Sequence, residues 1–276
     1  MSNVITQPIS RAQSLKKLAS LSYLPVGQNP FNIGEMLKLR DFEESSLVTE
    51  IEKNISLSAL VLAIANSPYF KFTRQVNTIS QAVLAICSNN YDQIKVIVDG
   101  LIENSVPSIS TACYFNYSSC LRHSFFTARI MRDISTDIFL TDFYAIGLLA
   151  NCGTLALVNL YPKQFDSISD PAQPLPEEEM FGLSRFEASH FLLDKWGLPV
   201  KICQAVLHTA NPERAGENIK LASVLNIAAS LAAEILNMKK IWYINVNQKV
   251  DYRIFNFSEE KYFNEYLEKL KKRFRG

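Results

Sequence analysis

The side chains best suited to chemistry in this chain are few: three histidines, His123, His190 and His208, and five cysteines, Cys87, Cys113, Cys120, Cys152 and Cys203. Imidazoles can hold a divalent metal ion or act as a general base, and a thiol beside an imidazole can act as a nucleophile. The cysteines are irregularly spaced, with no CxxC pair of the kind that builds a zinc ribbon or a redox motif. They read as reduced thiols serving as small buried hydrophobes. His190 lies one helical turn from Phe186 and Asp194 and a short turn from Glu187, and His208 follows Gln204 by one turn. On such polar faces a solvated or locally hydrogen-bonded imidazole is the default. No Walker loop, GxGxxG, GxSxG elbow or HExxH pair is present.

One segment does carry a recognisable pattern, Ala145-Ile-Gly-Leu-Leu-Ala-Asn-Cys-Gly-Thr-Leu155. It resembles the motif helix of HD-type phosphohydrolases, Gly-Leu-Leu-His-Asp-Ile-Gly, with Gly147, Leu148, Leu149 and Gly153 matching and Ala150-Asn151 replacing the His-Asp pair. Upstream, Ala65-Asn66-Ser67 and Ile79-Ser-Gln-Ala-Val83 resemble the Asn-Ser and Ser-x-x-x-Ala-Ile elements of the HDOD family, the HD-related output domain. Arg122-His123-Ser124 with Ala128 resembles its Trp-x-His-Ser-x-x-x-Ala helix, with Leu121 or Arg122 where an aromatic is common. Glu187-x-x-His190, Trp196-Gly-Leu-Pro199 and Val206-Leu-His208 continue the pattern in order. Leu221 to Ala232 is similar to the helix that carries the closing aspartate of active HD enzymes, and Asn226 stands at that position.

The resemblance implies a metal site at His123, Ala150, Asn151, His190, His208 and Asn226, and the residue types there argue against a metal. Ala150 has no ligating atom, and the amides of Asn151 and Asn226 do not offset an ion's charge. A hydrolase of this kind needs imidazole and carboxylate ligands to acidify a bound water. The expectation is a site that has lost its ligands, with no metal, no cofactor and no catalytic residue. A Cys152–His123 thiol–imidazole pair is the covalent alternative, but Cys152 takes the place of the family's isoleucine and reads as core.

These residues must be positioned by helices. Only nine glycines occur in the chain, too few for a fold of tight hairpins or phosphate loops. Ile79-Ser80 before Gln81 to Leu84 reads as an N-cap serine with an Ile79–Leu84 staple. Ser184-Arg-Phe-Glu187 has capping-box spacing and opens a helix that ends at Gly197, with Pro199 beginning the next. Ser58 to Asn66 is apolar almost all round and predicts a helix buried on every side, with Asn66 and Ser67 tying off its carbonyl end. Pro162 to Gly182, with four prolines and three consecutive glutamates, reads as a solvated loop. Ile241 to Phe257 alternates and predicts a short β-hairpin or an extended arm. A final helix from about Glu259 places Phe263, Tyr266, Leu267, Leu270 and Phe274 on one face. Its basic end, Lys269 to Arg275, reads as a solvated helix terminus supported by Glu265–Lys269 and Glu268–Lys272 pairs.

The predicted fold is all-α: an N-terminal arm over 1–16, an HDOD domain over 17–232, and a C-terminal extension over 233–276. Within the domain, an orthogonal helical bundle over 17–110 packs on an HD-like bundle over 111–232. With 28 Lys and Arg against 27 Asp and Glu there is no global field for nucleic acid or anionic lipid. No apolar run approaches the about 20 residues of a membrane span, and no signal peptide opens the chain, so the expected location is the cytoplasm. The family resemblance implies a bacterial signalling role exercised by binding a regulatory protein or a small signalling ligand. The competing readings are a divergent metal phosphohydrolase using His123, His190 and His208, and a nucleotide or nucleic-acid binder acting through the basic C-terminal helix.

Overall fold

The structure, a computed structural model, describes residues 7–22, 24, 31–39, 43–69, 75–90, 92–104, 115–139, 142–169, 177–238 and 251–275. Among these the regular elements are all helical, as the scarcity of glycine and the density of caps predict. In chain order they are α1 (Arg11–Ser20), α2 (Phe31–Leu39), α3 (Glu44–Glu52), α4 (Ile55–Ala65), α5 (Ile79–Asn90) and α6 (Asp92–Asn104). There follow α7 (Tyr117–Phe139), α8 (Tyr144–Leu149), α9 (Cys152–Leu160), α10 (Pro162–Ser169), α11 (Glu177–Phe181), α12 (Arg185–Lys195) and α13 (Val200–Leu207). The chain closes with α14 (Ile219–Ile235) and α15 (Glu260–Arg275), and short 3-10 turns lie at Pro212–Asn218 and Tyr252–Phe255.

Two compact units interleave along the chain. One comprises Met1–Phe115 and Asn151–Cys203, the other Asn116–Ala150 and Gln204–Gly276. In the first, α4 is the central helix: Ile55, Leu57, Val61 and Leu62 are buried, and its polar Ser56 and Ser58 are buried too. Those hydroxyls donate to the carbonyls of Leu24 and Ile51, which removes the cost of burying them. Asn66 closes this helix as the sequence predicts. Its Nδ2 donates to Leu62 O at 3.0 Å and Val76 O at 2.9 Å, and its Oδ1 accepts from Val76 N–H at 2.9 Å. Asn66→Ala is expected to cost about 2 kcal/mol, since partly buried backbone groups lose their partners. Urea unfolding of the two proteins measures the difference.

The Ser184–Glu187 capping box is present, and α12 ends where Gly197 adopts a positive φ of 72°. The start of α5 differs from expectation. Thr78 Oγ1, not Ser80, accepts from Gln81 N–H at 3.1 Å, and Leu84 is 53% exposed, so no Ile79–Leu84 staple forms. α5 begins at Ile79, so Thr78 precedes it and Ser80 lies within its first turn.

Pro162 to Gly182 is not one solvated loop. Pro162 opens α10 and the glutamates open α11, which suit a positive N-terminus and the favourable first-turn position of proline. Phe165 and Phe181 stack with centroids 6.0 Å apart and are fully buried. Residues 170–176 of that stretch lie outside the described residues, as does most of the predicted hairpin. The part of the hairpin that is described, Tyr252–Phe255, is a 3-10 turn, because Asp251 caps it by accepting from Arg253 N–H at 3.0 Å.

In the second unit, α7 packs on α8 and on α14. Pro212–Ile235 is long and apolar enough, by composition alone, to cross a membrane, which the sequence reading overlooked. It is not one helix, however: Gly216 breaks it at φ 57° and ψ −123°, and 61% of its most apolar window is buried within the fold. The basic end of α15 is largely exposed, as expected, and three of its cations are also ion-paired. Arg273 meets Asp133 at 2.8 Å, and Lys271 meets Glu234 at 3.0 Å and Glu268 at 2.8 Å.

Candidate functional site

The motif segment Ala145–Leu155 reads as a single helix in sequence, but it is two. Ala150 is the C-cap of α8 and Asn151 the N-cap of α9, both half-buried, with Asn151 leaving helical geometry at ψ 9°. Its two glycines have steric duties. A Cβ on Gly147 would lie 2.7 Å from Ala128 Cα, and one on Gly153 would lie 2.3 Å from Ser189 N and 2.4 Å from Arg185 O. Gly147 therefore sets the approach of α8 to α7, and Gly153 that of α9 to α12. Each leaves no room for any side chain.

His123 is 2% exposed on α7. Its Nε2 lies 2.8 Å from Ala229 O, and because a carbonyl only accepts, Nε2 carries the proton and donates. Asn226, on α14, is fully buried, and its Nδ2 donates to Thr209 O at 2.7 Å. A carboxylate cannot make that bond. The Asn226 amide, which the resemblance sets against the closing aspartate, is thus a donor that joins α14 to the turn after α13, next to His208. His208 itself is half-buried. In the first unit, His190 is half-buried on α12, and its Nδ1 lies 3.1 Å from Cys203 O, again as donor. Glu187, three residues before it, is occupied as the helix cap and by Arg11, whose Nη1 is 2.6 Å away. Burial alone would raise its pKa, but the Ser184 N–H and the Arg11 guanidinium hold it below the usual carboxylate value.

Among the described residues, no three His, Cys, Asp or Glu side chains come together so as to hold a metal ion. The donor set at the inferred positions does not fit a divalent cation. Ala150 offers no ligating side-chain atom, and Asn151 and Asn226 present neutral amides that do not offset an ion's charge. The carbonyls of Thr209, Ala229 and Cys203, which receive Asn226, His123 and His190, left no trace in the sequence because every residue type has one.

Cys152 is no nucleophile. It is fully buried, its Sγ lies 3.8 Å from Ser189 O, and burial pushes its thiol up to about 12. Cys203 is likewise pushed up to about 12, by burial and then by the nearby Asp194. Neither is expected to react with a disulfide reagent at pH 8 until the protein unfolds, because only the thiolate attacks. Rapid labelling of Cys152 in the native protein, identified by peptide mapping, would overturn this.

The HDOD domain model matches residues 27–212. In fold the chain is similar to the MmoQ response regulator from Methylococcus capsulatus str. Bath, with a TM-score of 0.65 and 18% identity over 87% of this chain and 95% of that one. It is also similar to a virulence factor from Campylobacter jejuni subsp. jejuni, with a TM-score of 0.63 and 22% identity over 81% of this chain and 83% of that one. No curated protein sequence matches. The family match spans more than half of the chain and encloses the Gly147–Gly153 motif, His123, His190 and His208, and by it the chain belongs to the HDOD domain family.

Proposed function

We propose that this protein is a non-catalytic regulatory domain of a bacterial signalling pathway that acts by binding a partner protein or a small signalling ligand. The observation that carries this reading is the buried Asn226 amide donating to Thr209 O. On the family resemblance this is the position of an HD hydrolase's closing carboxylate, and here its side chain ties α14 to the turn after α13. A hydrolytic mechanism would need a metal-bound water of lowered pKa, and the side chains at these positions supply neither the charge nor the ligand count for one. Signalling as the setting is supported by the HDOD family itself and by the response regulator of similar fold.

The test is elemental analysis of tag-free protein purified without chelator, together with phosphomonoester and phosphodiester hydrolysis assays in added manganese. We expect substoichiometric metal, and hydrolysis indistinguishable from that of a His123→Ala variant. One equivalent of metal that is lost in that variant, or turnover that depends on His123, would sink the proposal and restore the hydrolase reading.

A further inference from the structure

Helix α15 lies beyond the family match and seats itself on α7 and α14 with the chemistry of a recognition helix. Its anchors are mixed. Phe263 is buried largely by its own segment, with ring centroids 5.2 Å from Phe255 and 5.4 Å from Phe257. Leu270 is 1% exposed, and Phe274 lies 6.4 Å from Phe126 of α7, with the Arg129 guanidinium 5.2 Å from its ring. Around these anchors the body presents three acids. Asp133 takes Arg273 at 2.8 Å, Asp137 accepts the Tyr266 hydroxyl at 3.1 Å, and Glu234 takes Lys271 at 3.0 Å and Arg275 at 3.5 Å.

The holding forces are of a reversible kind. Arg273 and Arg275 are 56% and 53% exposed, so water and salt compete for both pairs. Of the 16 residues of α15, only Phe263 and Leu270 are buried. A helix of that length has little stability apart from its docking. The opposite face, with Glu260, Lys261, Asn264, Glu265 and Lys269, carries no apolar anchor and faces solvent.

We propose that the α7/α14 face is a docking surface for a basic amphipathic helix, filled in this structure by α15 in cis and open to a partner protein whose helix displaces it. The partner helix carries an apolar side chain at the Leu270 position and an aromatic one turn further on. Cationic residues flank these so as to reach Asp133 and Glu234. The acids fix the register and polarity of the incoming helix, and the ring contact with Phe126 fixes its rotation. A tethered α15 competes at high effective concentration, so a partner binds strongly only after cis docking is weakened. This surface rests on the partner-binding reading above; its acids lie on the helices that carry His123 and Asn226 but are not themselves inferred ligand positions, so it is tested separately from the absence of catalysis.

The test uses the full chain and a fluorescein-labelled synthetic peptide of residues 258–275, read by anisotropy. A Lys271→Glu/Arg273→Glu variant releases α15 in cis without touching α7 or α14, and it is expected to bind the peptide at least about 10-fold more tightly than the unmodified chain. Adding Asp133→Ala to that variant should reduce the gain, and raising salt should weaken binding. Equal affinity of released and unmodified chains, or an affinity untouched by Asp133→Ala, overturns the proposal. Hydrogen exchange on the unmodified chain gives a check that needs no variant. The amides of α15 should exchange at least about 10-fold faster than those in the middle of α14, and equal protection overturns it.

Discussion

Gly153→Ala is expected to destabilise the protein by about 3 kcal/mol, at the upper end of what overpacking usually costs. The added methyl meets the backbone of α12, with Ser189 N at 2.3 Å and Arg185 O at 2.4 Å, and backbone cannot rotate aside. The Ser189 Oγ, 2.7 Å from the same point, could move, but it accepts the Gly153 N–H at 2.9 Å and would surrender that bond. Relief by Ser189→Gly in the same chain is therefore expected to fail. For a protein of this size the loss should lower the melting temperature by roughly 6–12 °C. Gly100→Ala is the contrasting variant: nothing lies within 4 Å of its Cβ, in mid-helix, and a gain of up to about 1 kcal/mol is expected. If both variants melt together with the parent, the close approach of α9 to α12 is not as described.

Asn226→Asp should cost about 4 kcal/mol near neutral pH, and the cost should depend on pH. The side chain is fully buried and faces a carbonyl, which repels a carboxylate but can accept from a protonated acid. Burial of this degree raises a carboxyl pKa by about 3–5 units over the unfolded value of about 3.9. A folded pKa above the unfolded one gives stability that is complete below about pH 3.9 and is lost as pH rises towards the folded pKa. The melting temperature of Asn226→Asp relative to the parent should accordingly fall from about pH 4 and level off only above the folded pKa, at about pH 7–9. Manganese or zinc distinguishes two outcomes at pH 7. No recovery agrees with a position given over to helix–helix bonding, whereas recovery to the parent melting temperature would mean that the carboxylate had rebuilt a ligand set.

These two variants separate the two kinds of residue in the HD-like motif. Its glycines persist because they hold helices at distances where no Cβ fits, a duty of the fold that does not depend on catalysis. At the inferred ligand positions no such close approach is seen, and on the non-catalytic reading proposed above they are free to vary. Ala150 ends α8, and Asn226 donates to Thr209 O. A motif can therefore report a family faithfully and an activity not at all.

The all-helical class, the Ser184–Glu187 cap, the turn at Gly197, the buried α4 with its Asn66 closure, and the family pattern of elements were all determined by the sequence itself. Each rests on bonds between residues a few positions apart, or on a periodicity that any helix must obey. Only the tertiary structure decided the rest. It chose Thr78 over Ser80 as a cap, turned the proline-rich 162–182 stretch into two short helices under a Phe165–Phe181 stack, and split the motif helix at Ala150-Asn151. It also matched His123 with a carbonyl 106 residues away and gave the basic end of α15 to Asp133 and Glu234. In the last two cases the partner is a backbone group or a distant surface charge. Its identity is not written in residue type, because it follows from which helix faces are brought together, and that is settled by the packing of the whole core.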